Sequence, residues 1–91
     1  MPVRELLSES EFTRFKRDEE RIVAVMFYYE NAEECDDIKE IFDQLDNDKK
    51  SKGVAFAQVD VDKNINWAAG FGRPNQINVV FYYAKEEVIF Q

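Results

Sequence analysis

The sequence predicts an α/β sandwich, one mixed β-sheet flanked by helices, folded as a single domain over residues 1–91. Three observations lead there. Two nearly unbroken apolar runs, IVAVMFYY (22–29) and VAFAQVDV (54–61), are β-branched and aromatic, the pattern of strands covered on both faces. Between them, residues 32–47 set Cys35, Ile38, Ile41, Phe42 and Leu45 at spacings of three and four, the stripe of an amphipathic helix. Finally, the connection between the last two strands is too short for a crossover, so that pair must be antiparallel.

Taken in order, VRELL is a short extended lead, and Ser8 caps a helix over residues 9–17, with Glu11 at the capping-box position and Phe12 and Phe15 on one face. RDEERI is a charged connection into the run at 22–29, which should be the central strand. The helix over 32–47 ends in the polar turn DNDKKSKG. After the strand at 54–61, DKNINWAAGFG fits a short helix stopped by Gly70 or Gly72. RPNQ leads into the strand INVVFYY, and KEE turns the chain into a last strand, VIFQ. FYY occurs at 27–29 and again at 81–83, but the flanks differ, so it marks two strands with similar needs and no repeat.

Twelve Lys and Arg against nineteen Asp and Glu give a net charge of −7, which works against nucleic acid or an anionic membrane as partner. The acidity is a source of solubility. One cysteine cannot build an internal disulfide framework, and MPVRELL lacks the basic and apolar regions of a secretory signal, so a reducing, cytoplasmic setting is expected. No apolar run approaches the ~20 residues that span a bilayer. The chain has no His, and the acidic run of Glu30, Glu33, Glu34, Asp36 and Asp37 lacks the order of a calcium loop, as does DNDKKSKG. Neither a metal nor a cofactor is expected, and the acidic run reads as a solvated helix start.

IVAVMFYYENAEEC, VAFAQVDVDKN and WAAGFG together resemble the thioredoxin family over essentially the whole chain. The first looks like the family's strand running into its W-C-G-P-C motif, the second like the strand ending in a hydrophobic-Asp pair, and the third like the short helix ending in Tyr-Gly. In that register the resemblance puts Asn31 at the tryptophan, Ala32 at the attacking cysteine, Glu33 and Glu34 at Gly-Pro, and Cys35 at the resolving cysteine. Met26 stands where the family keeps a buried carboxylate, and Gln58 near the lysine that accompanies it. The gapless count puts Ile77 at the family's cis-proline; a local shift would bring Pro74, three residues earlier, into that role. Thiol–disulfide exchange needs an attacking thiolate and a second thiol close by, so dithiol oxidoreductase activity is not expected.

At Cys35 a helix N-terminus favours the thiolate, while Glu33, Glu34, Asp36 and Asp37 disfavour it by like charge and should prevail, leaving a thiol at neutral pH. Helical spacing sets Cys35 on the face of Ile38, Phe42 and Leu45, as a small buried hydrophobe.

The expected function is thus that of a redox-inactive thioredoxin-like domain serving as a protein-interaction or assembly module. Two alternatives are a monothiol redox protein using Cys35 and a peptide-binding domain like the noncatalytic domains of disulfide isomerases. The family closes with a further helix, on the sheet face that carries the motif helix, whereas this sequence stops at VIFQ, either as it stands or as a fragment; EEVIFQ also resembles a protease-recognition scar. Strands 77–83 and 87–91 should then be less covered, with Val80, Tyr82, Val88 or Phe90 available to a protein partner or to a homodimer. Tyr28, Tyr29, Trp67 and Phe71 are candidates for the old substrate side, and with Pro74, Ile77, Tyr82 and Phe90 they form the expected contact set.

Overall fold

A computed structural model of the chain describes residues 3–30, 35–48, 52–71, 76–84 and 86–88. The most apolar run becomes the middle of the sheet. Strand β2 (Ile22–Tyr28) is buried from Val23 onward; it pairs in parallel with β3 (Val54–Asp60) and antiparallel with β4 (Asn78–Tyr83). Beyond β3 lies β1 (Arg4–Glu5), parallel, and beyond β4 lies β5 (Glu86–Glu87), antiparallel, which gives the order β1-β3-β2-β4-β5. A strand bonded along both edges and packed on both faces has no place for unpaired polar groups, and β2 carries no polar atom on its side chains until the Tyr28 hydroxyl.

Alternation along the strands sorts the core into two clusters. Val23, Val25 and Phe27 face one side, with Leu6, Val59, Val61, Val80 and Tyr82. Helix α1 (Glu9–Asp18) covers them, and Phe12 is its anchor: its ring lies 5.8 Å from Phe27, 5.3 Å from Trp67, 5.5 Å from Phe71 and 5.7 Å from Tyr82. The Phe27 and Phe71 rings stack at 5.1 Å. The helix starts as its sequence directs. Ser8 Oγ accepts from the Glu11 N–H at 3.2 Å, while the Glu11 carboxylate reaches one residue past the cap to accept from Leu7 N–H. Such a cap stabilises the helix by about 1 kcal/mol.

On the other face, Ala24, Met26 and Tyr28 lie under α2 (Cys35–Asn47), which contributes Ile38 and Phe42; Phe42 meets Phe56 edge-on at 5.3 Å. The helix expected after β3 is shorter than its sequence suggests, a 3-10 turn over Asp62–Asn64 running into α3 (Ile65–Ala68). Asp60 sets this turn, since its Oδ1 accepts the N–H groups of Asp62 and Lys63 at 3.0 and 3.4 Å.

The last strand begins earlier than expected. Tyr83 pairs with Glu86 and Tyr82 with Glu87, with Val88 N–H donating to Phe81 O at 2.7 Å, so the glutamates assigned to the turn are the strand. The cause is Ala84, whose φ of 53° lets the chain reverse within two residues; Phe90 and the rest of the expected strand past Val88 lie outside the described residues.

A left-handed alanine costs roughly 1 kcal/mol that glycine does not incur. Ala84→Gly should therefore raise the urea midpoint, by up to about 1 kcal/mol in stability with an unchanged m-value, and Ala84→Val should lower it.

Candidate functional site

The carboxyl end of β2, the start of α2 and the start of β4 converge at one end of the sheet. From β2 the chain passes through Tyr29 and Glu30 toward the motif, and α2 opens at Cys35 with Asp36 and Asp37 in its first turn. Asn31, Ala32, Glu33, Glu34 and Pro74 lie outside the described residues, as does the side chain of Cys35. Ile77 is half-buried against the core cluster on the α2 face, and no peptide bond among the described residues is cis.

Beneath this end, a row of paired residues runs across the sheet on the α2 face: Glu5, Gln58, Met26 and Val79. Met26 is fully buried. Gln58 Nε2 donates to Glu5 Oε1 at 2.8 Å, and the Tyr28 hydroxyl donates to the same carboxylate, 3.0 Å from Oε1 and 3.2 Å from Oε2. The Lys39 ammonium sits 3.8 Å from the centroid of the Tyr28 ring. Burial, then the negative charge of Glu5, holds the Tyr28 hydroxyl well above the ordinary tyrosine range, so it remains a proton donor to that carboxylate. This network ties β1 to β2 and β3, and it leaves the position beside Met26 without an ionisable group.

The four aromatic residues expected on one side are divided between the two faces of the sheet. Tyr28 is buried on the α2 face, whereas Tyr29, Trp67 and Phe71 pack half-buried on the α1 face. Strand alternation is the reason, since neighbouring residues point to opposite faces. Trp67 is fixed by a polar relay that the sequence reading missed. Its Nε1 donates to Asn64 Oδ1 at 3.0 Å, and Asn64 Nδ2, in a buried side chain, donates to Asp60 O at 2.9 Å. An Asp at a strand end followed by Asp, Lys and Asn is the turn signal that could have found it.

Val80 and Tyr82 are likewise corrected. Both are buried on the α1 face, 9% and 4% exposed. The half-covered side of β4 has the other parity, with Val79 and Phe81 partly buried and Tyr83 exposed. The Tyr82 hydroxyl is buried and finds no hydrogen-bond partner among the described residues. Burial, then the charge of Glu87, pushes its pKa up to about 12. Lys16 extends over this side, its ammonium 4.1 Å from the Phe12 ring and 4.8 Å from the Tyr82 ring, and desolvation lowers its pKa. Among the described residues no group of His, Cys, Asp and Glu is placed to hold a metal, and no helix is long and apolar enough to cross a membrane.

No protein-family model and no curated protein matches the chain. Among solved structures it is similar to thioredoxins. The thioredoxin of Malassezia sympodialis matches with a TM-score of 0.81 at 21% identity, over 98% of this chain and 79% of its own. That of Plasmodium falciparum gives 0.83 at 22% identity, over 96% and 82%, and that of Fasciola hepatica 0.78 at 26%, over 96% and 83%. At these identities the likeness is one of fold.

Tyr82 holds its proton more tightly in the folded chain than the ordinary value of 10. Its contribution is therefore complete below about pH 10 and is lost as the pH rises toward 12. Urea unfolding of Tyr82→Phe should show equal or higher stability at neutral pH, by up to about 1 kcal/mol, because a buried hydroxyl without a partner is removed. The variant's advantage should widen above pH 10.

Proposed function

We propose that this chain, which has the thioredoxin fold, is a redox-inactive form of it that serves as a protein-interaction or assembly module. The observation that carries this reading is the pair at the base of the motif. Fully buried Met26 stands beside Gln58, which is engaged with Glu5, where the resemblance implies a proton-exchanging carboxylate and its lysine. Neither Met26 nor Gln58 can exchange a proton with a thiol. The chain also holds a single cysteine, and an internal dithiol cycle needs two sulfurs. Asp36 and Asp37, both exposed beside Cys35, oppose the thiolate that the helix start favours. A single cysteine, which cannot form an internal disulfide, fits a reducing compartment, and we propose the cytoplasm as the setting of the domain.

The competing reading, a monothiol that attacks through Cys35, makes the opposite prediction about reactivity. The chain should fail to catalyse insulin reduction, and native Cys35 should react with iodoacetamide no faster than in urea, with a pH midpoint at or above the ordinary ~8.5. Catalytic insulin reduction, or fast alkylation with a midpoint well below that value, would overturn the proposal.

A further inference from the structure

Charge is shared out unevenly around the last turns of α1. A hollow of about 140 Å³ opens there between the helix and the β1 edge, lined by Arg4, Arg14, Phe15, Asp18 and Glu19. Alternation along β1 turns Glu5 to the α2 face, where it accepts from Gln58, and Arg4 to the α1 face. The Arg4 guanidinium lies 5.5 Å from the centroid of the Phe15 ring. Phe15 is itself packed against the core on that face, so the cation rests on a fixed support. Arg14 and Asp18, one helical turn apart, come from α1, and Glu19 follows as its C-cap, its N–H donating to Phe15 O at 3.2 Å.

Both carboxylates of the hollow are closed onto arginines that are not part of its lining. Arg17 reaches Asp18 at 2.8 Å and Arg21 reaches Glu19 at 2.7 Å, with a second nitrogen engaged in each pair. Among the described residues no carboxylate closes an ion pair with Arg4 or Arg14. Four guanidiniums thus meet two carboxylates, an excess of two positive charges in a chain whose net charge is −7. The other acids on these elements lie aside. Glu9 and Glu11 belong to the first turn of α1, Glu20 does not line the hollow, and Asp46 acts through space on Arg21. Lys16 joins Arg17 in the last turn to offset the negative end of the helix dipole.

A guanidinium presents a planar fork of donors that matches two oxygens of one anion. Two such forks, one from a strand and one from a helix, match a group with several oxygens and two charges. The hollow is smaller than the ~300–1,000 Å³ of sites for drug-sized ligands, so it takes a compact group. The acidity of the rest of the surface repels an extended polyanion far more than a single small ion. We infer that the hollow between Arg4 and Arg14 binds a phosphate-type dianion, either inorganic phosphate or a phosphomonoester. The inference does not depend on the interaction-module reading.

Backbone amide shifts of the intact chain, titrated with inorganic phosphate against chloride at constant ionic strength, test it. The shifts should saturate at millimolar phosphate and centre on the five lining residues. Arg4→Gln and Arg14→Gln should each weaken binding at least tenfold, while Lys63→Gln, which removes an equal charge from an exposed residue elsewhere, leaves it unchanged. Both arginines are exposed, and an unchanged urea midpoint will show that their variants stay folded. Acetate, with one charge, should bind at least tenfold more weakly. A short phosphoserine peptide identifies the source: tighter binding than inorganic phosphate assigns the hollow to a phosphorylated partner protein, and equal or weaker binding assigns it to the free anion. The site is refuted by shifts that do not saturate, by shifts spread alike over all basic residues, by equal binding of acetate, or by either arginine variant leaving binding unchanged. Catalytic insulin reduction would overturn the interaction-module reading and leave this site standing.

Discussion

The whole arrangement depends on β2 having no free side. Its edges are taken by β3 and β4, and its faces are buried under α1 and α2. Six consecutive buried residues leave no room for a group that must be hydrated, and each face recruits its own helix through that strand's side chains. Phe27 meets Phe12 and Phe71 on one side, and Met26 and Ala24 form the floor under Phe42 on the other. The helices cannot slide without opening one cluster or the other, so the end of β2 and the start of α2 are held in fixed relation.

That same constraint explains the character of the site. A carboxylate at position 26 would be buried on an apolar strand and would need a nearby cation or protonation to be tolerated. With Met there, the neighbouring Gln58 is released from any such duty and bonds outward to Glu5, which in turn receives Tyr28. The polar groups of this face thus serve to fasten the β1 edge.

Much of this was legible in the residues. IVAVMFYY and VAFAQVDV announced buried strands because their β-branched and aromatic residues run almost unbroken, and Ser8 with Glu11 announced the first helix through local chemistry alone. What stayed hidden depends on parity and on single dihedral angles. Val80 and Tyr82 look as apolar as Val79 and Phe81, and only the pairing register with β2 decides which pair meets α1. The last strand was misplaced because an apolar run outweighs two glutamates on propensity, while the backbone of Ala84 brings those glutamates into register first. The relay from Asp60 through Asn64 to Trp67 spans three elements and leaves no periodic trace.

The edges of the sheet complete the picture. Among the described residues both are only two residues long and charged: Arg4–Glu5 at one side, Glu86–Glu87 at the other. Backbone groups at a sheet edge invite any passing strand, and short, charged edges are how folded chains refuse that invitation. Here the refusal falls on a molecule that also displays Ile22, Ile41, Leu45 and Tyr83. Among the described residues, then, the sheet ends at both sides in charge, which discourages strand addition there, while these four apolar side chains remain exposed.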